Sequence, residues 1–157
     1  MSNNNIQTLP LDEELEEKLY DYINQYNGLP NGVKMLKAER LEAKPPSVMV
    51  QIVPNSEVET RFITESYIGR VRFGIFCKLD VKDTRTTFDG FRILRDINKW
   101  FTERERAYKK EEEAPPPLGT NNTYNSIEMT MSPAVVDELD NGEFIYGAQF
   151  KLLYLHI

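Results

Sequence analysis

Tyr67-Ile-Gly-Arg-Val-Arg-Phe-Gly-Ile-Phe-Cys-Lys-Leu-Asp-Val81 decides how the rest of the chain reads. Its odd positions carry Tyr67, Val71, Phe73, Ile75, Cys77, Leu79 and Val81, and its even positions carry Arg70, Arg72, Lys78 and Asp80, with Phe76 the main exception. Alternation of this kind marks a strand with one buried and one wet face. At about 3.3 Å per residue the stretch spans about 50 Å, long for a small domain, so a bulge or bend is expected at Gly69 or Gly74. A buried face needs a cover, and the segment that follows supplies one.

Residues 87 to 104 read as an amphipathic helix. Phe88, Phe91, Leu94, Ile97 and Phe101 fall on one stripe, widened by Ile93 and Trp100. Thr86-Thr87-Phe88-Asp89 has the spacing of a capping box, and Lys82 to Arg85 is a polar connection before it. On the other side of the long strand, Ser47 to Val53 alternates as a strand and Pro54-Asn55-Ser56 reads as a turn. Glu57 to Ile63 is a second, more polar strand, and Thr64-Glu65-Ser66 turns it back into the strand at Tyr67. The expectation is a three-stranded antiparallel meander under a helix.

Further out, residues 1 to 8 are polar and expected to fray. Leu11, Leu15, Leu19, Tyr22, Ile23 and Tyr26 predict a helix from Leu11 to Tyr26, with Pro10 in its first turn and an Asn27-Gly28 left-handed cap. The acidic run Asp12 to Glu17 suits the positive end of the helix dipole and reads as a solvated helix start rather than a cation site. Val33 to Leu36 fits a short strand or a helical turn, and Lys44-Pro45-Pro46 forces extended backbone. Residues 102 to 123 pass from mixed charge through Pro115-Pro116-Pro117 to a Gly-Asn cluster, and read as a long protruding arm. Then come a strand at Ser126 to Met131, a connection from Pro133 in which Ala134 to Leu139 pairs only in part, and a hairpin turn at Asp140-Asn141-Gly142. A last strand runs from Glu143 to Ile157, apolar on both faces at its end, as in a central strand or one meeting another subunit. The fold class is α+β: one domain over residues 1–157, an antiparallel sheet of about four to five strands with two helices packed on a face.

The chain has 157 residues, 40% hydrophobic and 11% aromatic, enough for one core and against wholesale disorder. A net charge of −6 argues against a DNA-binding face as the main business. The single cysteine excludes an internal disulfide and fits a reducing site of synthesis, and no apolar run is long enough for a membrane span. Little here carries chemistry. His156, the one histidine, sits in the last strand without local partners, and Cys77 falls on the buried face, so both read as structural. There is no zinc-like Cys/His spacing, no phosphate-binding glycine loop and no nucleophile elbow. Asp137, Glu138, Asp140 and Glu143 cluster at the last turn, without the closer oxygen spacing of a calcium loop. Arg70 and Arg72 face outward, near Arg61. They read as cross-strand partners for Glu57, Glu59 or Glu65, with an inter-subunit salt-bridge row as the sharper alternative. No catalytic residue, metal, cofactor or enzymatic activity is expected.

Three segments carry a resemblance to a known family: Ile68-Gly-Arg-Val-Arg-Phe-Gly-Ile-Phe76, Ile97-Asn-Lys-Trp-Phe101 and Tyr146-Gly-Ala-Gln-Phe-Lys-Leu-Leu-Tyr154. With the helix–meander–helix–hairpin order, they resemble the minor capsid proteins grouped with the tail terminators of long-tailed bacteriophages. The arm at 102–123 departs from that pattern. The resemblance implies a tail-terminator-like fold and a structural virion protein at the head–tail junction, assembled in the host cytoplasm. Such a protein forms a ring, usually a hexamer, on the head-proximal end of the tail tube, where it stops tube polymerisation and meets the head-side connector. DNA would pass through its acidic lumen without specific binding. The expected contact residues are Arg70, Arg72, Arg104, Arg106, Lys109, Lys110, Leu155 and Ile157, with removal of residues 106–118 expected to weaken assembly but not the secondary structure. An adaptor or stopper below the portal is the near alternative. A small-ligand-binding or hydrolytic α+β domain is the distant one and would need a polar pocket with a perturbed acid or base.

Overall fold

The computed structural model describes residues 6–30, 33, 35–37, 45–80 and 89–157. In chain order its elements are β1 (Gln7–Pro10), α1 (Glu13–Ile23), β2 (Met35–Lys37), β3 (Ser47–Arg61), β4 (Tyr67–Asp80), α2 (Gly90–Lys109), β5 (Asn122–Glu138) and β6 (Glu143–His156). The main path of the sheet is β1-β3-β4-β6-β5, antiparallel throughout, and β2 adds a short parallel pairing to β3. The α+β class and the antiparallel sheet with two helices on a face are thus as the patterning predicts.

β4 is the centre. Val71, Phe73, Ile75, Cys77 and Leu79 are all buried, and Arg70, Arg72 and Phe76 are turned to the other side. Both helices cover the buried face. Leu15, Leu19, Tyr22 and Ile23 of α1 and Ile93, Leu94, Ile97 and Phe101 of α2 join one cluster with β3, β4 and β6. Phe101 meets Phe73 and Phe150 edge-on, with ring centroids 6.1 and 5.4 Å apart. Each such side chain contributes about 1.5–3 kcal/mol by area. β6 lies between β4 and β5, which explains why its end is apolar on both faces.

The expected bulge at Gly69 or Gly74 is absent. The β4–β6 ladder runs in unbroken register from Tyr67↔His156 to Asp80↔Glu143. The glycines make room for rings instead. A Cβ on Gly69 would lie 2.3 Å from the Tyr154 ring, and one on Gly74 2.6 Å from Phe76. The irregularities fall on the neighbours. β3 shifts register between Ile52 and Ser56, and so passes through Pro54-Asn55-Ser56 as one bulged strand where a turn was expected. The expected three-strand meander is therefore a two-strand hairpin, closed by Phe62–Ser66 with Glu65 at φ 68°. β5 behaves likewise, continuing through Pro133 with four register shifts.

Other boundaries also move. Of the residues expected to fray, 1–5 lie outside the described residues, while Gln7 and Thr8 belong to β1, which lies along β3 and puts the donor-less Pro10 opposite Asn55 on the edge. α1 begins after the Asp12 cap, which accepts from the Glu14 amide, and ends at Asn24 in ordinary right-handed geometry. No left-handed cap forms at Gly28, which lies against the Tyr26 ring. Val33–Leu36 resolves in favour of a strand, Met35–Lys37. Of the expected capping box, Thr86, Thr87 and Phe88, the last also the first residue of the expected stripe, lie outside the described residues, as do Val81 to Arg85 and Lys44. Asp89 is itself the cap of α2, accepting from the Phe91 amide at 3.0 Å. Phe91, expected in the core stripe, is 36% exposed.

The largest correction concerns residues 102–123. They do not form a protruding arm. α2 runs on to Lys109 and buries Tyr108, a left-handed Glu111 reverses the chain, and the loop returns along the body with Leu118 1% exposed. Asn122 and Thr123 already belong to β5. The Asp140-Asn141-Gly142 turn forms as expected, with Gly142 at φ 85°.

Candidate functional site

The helix-free side of the sheet and the two ends of the strands hold what could engage a partner. Arg70 of β4 sits opposite Glu57 of β3, and the pair makes a close ion pair. Arg72 reaches the same carboxylate, Nε to Oε1, at 3.4 Å. Two guanidiniums on one carboxylate hold Glu57 below the usual carboxylate range: the hydrogen bond from Arg70 outweighs the desolvation that works the other way. This is the cross-strand pairing read from the sequence, with Glu57 the acid. Arg61 stands apart from it, donating to Gln7 Oε1 at 2.7 Å and lying over the Tyr67 ring. Lys151 of β6 extends the row, pairing with Glu128 of β5 at 3.4 Å.

Leu155 shares the Arg70 and Arg72 side, since it pairs with Ile68 as Leu153 pairs with Arg70. Ile157 is 72% exposed just beyond the strand end. The remaining contact candidates lie elsewhere, on the last turns of α2. Arg104 is held by Glu113 at 3.2 Å and by the Tyr108 hydroxyl at 3.2 Å, and lies over Trp100. Lys109 pairs loosely with Glu105, and Arg106 and Lys110 are exposed. Arg104 therefore ties down the loop after α2 and leaves little of itself for a partner. Beneath it the Tyr108 hydroxyl donates to that of Tyr22 at 2.9 Å, and burial pushes the Tyr22 phenol well above its ordinary value.

The residues weighed for chemistry do not converge. The His156 ring stacks on Tyr67 at 4.9 Å and bonds Asn122 Oδ1 through Nδ1 at 2.7 Å. Cys77 lies at the other end of β4, fully buried, its thiol pushed up to about 12 by desolvation. In the acidic hairpin, Glu143 is drawn to Lys78 at 3.4 Å, and Asp137 Oδ1 accepts from the Glu138 amide. Among the described residues, no three His, Cys, Asp or Glu side chains are placed to hold a metal ion. Nor, among them, is any helix long and apolar enough to cross a membrane.

No protein-family model matches this chain, and no curated protein matches it.

Two surface features were not read from the sequence. The first is the hairpin end between β3 and β4, where Phe62 is 43% exposed and Ile63 is fully exposed. The second is a groove on the helix-free face, beside the β3 bulge. It has a volume of about 280 Å³ and is lined by Val53, Pro54, Arg72, Phe76, Thr130 and Gln149, with the Phe76 ring lying over Gly74. A turn of Arg-Phe-Ile-Thr-Glu already placed two bulky apolar residues where turns favour small polar ones, and that was the available signal for the first. The groove had none, because it depends on the β3 bulge.

Proposed function

We propose that this protein is a structural component of a phage-type tail: a ring, hexameric in the family it resembles, that caps the head-proximal end of the tail tube and joins it to the head. What supports the reading is the order of elements around Ile68–Phe76, Ile97–Phe101 and Tyr146–Tyr154, together with the exposed apolar hairpin end. That last observation carries most weight. A fully exposed Ile63 beside a half-exposed Phe62 is an apolar pair of the kind a subunit can offer to a neighbour. The acidic balance of the chain, −6, suits a wall that DNA crosses without sticking.

The test is assembly with the tube. Tail-tube protein is polymerised with and without this chain and imaged by negative-stain electron microscopy. Shorter tubes with a ring of density at one end are expected. Tubes of unchanged length with bare ends, in the presence of a chain that stays monomeric, would sink the proposal. Binding to the portal complex with no effect on tubes would instead favour an adaptor or stopper.

A further inference from the structure

We infer that the hairpin end of one copy seats in the groove over Gly74 of the next, Ile63 filling the groove and Glu65 meeting Arg72. This deepens the self-assembly reading above and rests on it.

The knob and the hole are both present on one chain. Ile63 is fully exposed at a turn whose ends are fastened by two backbone hydrogen bonds, Phe62 N to Ser66 O at 2.9 Å and Glu65 N to Phe62 O at 3.1 Å. It is therefore presented rigidly, at low entropic cost on binding. The groove is open and mainly apolar, and the Phe76 ring, which lies over Gly74, forms one side of it. Its volume of about 280 Å³ accepts one large aliphatic side chain with room to adjust. Charge agrees with shape. Arg72 stands at the rim, its side chain 45% exposed and tied to Glu57 only by a 3.4 Å contact. Glu65 is exposed two residues beyond Ile63.

The hairpin cannot reach its own groove. Gly74 lies in β4, seven residues past Tyr67, or about 23 Å along a strand held on both sides. The contact has to be between copies. Because knob and hole are different surfaces, it is heterologous: each copy gives one and receives the other, and repetition produces a ring or a filament. It is also small. Two apolar side chains and one ion pair fall well short of the roughly 800 Å² per partner that a stable pair needs. Free copies therefore associate weakly, and a template that aligns them strengthens the array through effective concentration.

The experiment uses two full-length variants. Ile63→Asp removes the knob, and Val53→Glu, at a residue 42% exposed, spoils the hole. Glu65→Arg and Arg72→Glu serve as a second pair that reverses charge, and because Arg72→Glu also removes a partner of Glu57, circular dichroism and thermal melts first establish that all four variants fold as the wild type does. Self-association is read by sedimentation velocity over about a hundredfold range of concentration. The wild type should form concentration-dependent oligomers, and each variant alone should be weakened at least about tenfold. An equimolar mixture of Ile63→Asp and Val53→Glu should stop at dimers, because only one intact knob and one intact hole remain. Glu65→Arg with Arg72→Glu in one chain should recover association that either loses singly.

Wild-type oligomers untouched by all four substitutions would overturn this contact and leave the ring reading in place. A wild type that is monomeric throughout and leaves tubes uncapped would overturn both. Ile63→Asp abolishing tube binding while self-association persists would assign the hairpin end to the tube protein and overturn the contact between copies.

Discussion

Glu57 shows how one residue sets the character of a surface. It lies opposite Arg70 in the β3–β4 ladder and also receives Arg72, and its carboxyl is held below its ordinary 4.5, first by the Arg70 hydrogen bond. A carboxyl depressed by folding stabilises the fold above its unfolded value and loses that contribution as pH falls through its folded value. Arg70→Met should therefore bring the Glu57 titration, followed by carboxyl-carbon NMR, back up toward 4.5. It should cost about 1 kcal/mol at neutral pH, and the gap to wild type in urea melts should close as pH falls through the lowered folded value of Glu57. A gap that persists in acid would mean that packing of the arginine stem, not charge, is what was lost. Gly69 makes a different point. The Tyr154 ring fills the space a Cβ would need, and its hydroxyl is fixed to Ser56 at 2.6 Å, so the ring cannot easily withdraw. Gly69→Ala should destabilise by about 1–3 kcal/mol in denaturant melts. A neutral result would show that the ring has another place to go. Alternation alone could place Gly69 on the inner face, but not the ring that rests on it.

At the scale of elements, what was legible followed from strong periodicity, and what was missed followed from local rules that tertiary pairing overrode. β4, the Ile93–Phe101 body of α2 and the Asp140–Gly142 turn stand where their patterns put them, because a period-two face, a period-3.6 stripe and an Asn-Gly pair each have one cheap solution. Pro54 and Pro133 were misleading. Each reads as a break, yet each sits in a long strand at a register shift, where a missing donor costs little. The charged run after Phe101 misled for a second reason. Its burial rests on three residues, Tyr108, Pro116 and Leu118, scattered in a polar stretch and invisible to any window average. One consequence reverses an expectation. Leu118 is 1% exposed and Gly119 packs against Glu14 of α1, so the loop after α2 ties that helix to the first. Leu118→Ala should cost about 2–4 kcal/mol by loss of burial and a residual cavity. Deleting residues 106–118 should lower the melting temperature sharply and reduce the helical signal, where a free arm would have left both unchanged. A deletion variant that melts like the wild type would show that the loop is not part of the fold.

For the molecule as a whole, the sheet grades from a rigid centre to edges that are short or broken. β4 and β6 are paired on both sides, in a ladder with no shift over its whole length. β1 is four residues long and, among the described residues, pairs with β3 alone, and the outermost strand β5 carries four shifts. Bulged and short edges are the usual defence against indiscriminate strand addition, so the sheet ends are poor sites for uncontrolled growth. In the proposed assembly that leaves side-chain contacts, at the hairpin end and on the helix-free face, as the means of joining copies. The candidate surface was half legible for this reason: the Arg70–Glu57 pairing follows from alternation, while the groove exists only once the bulge has formed. The gradient itself can be measured. In native-state hydrogen exchange, amides of β4 and β6 from Val71 to Leu79 and from Ala148 to Leu152 should exchange only through global unfolding. They should show the full free energy of the domain, about 5–15 kcal/mol. Amides of β1 and of β5 beyond Met131 should open locally, several kcal/mol sooner, with a weaker dependence on denaturant. In an assembled ring the Phe62–Ser66 turn and the Val53–Asn55 bulge of β3 beside the groove should gain protection together while β1 stays unchanged, since a knob and its hole are covered in the same event. Protection that rises at β1 and the β5 edge instead would mean that copies join through strand edges, and that the bulges fail to exclude it.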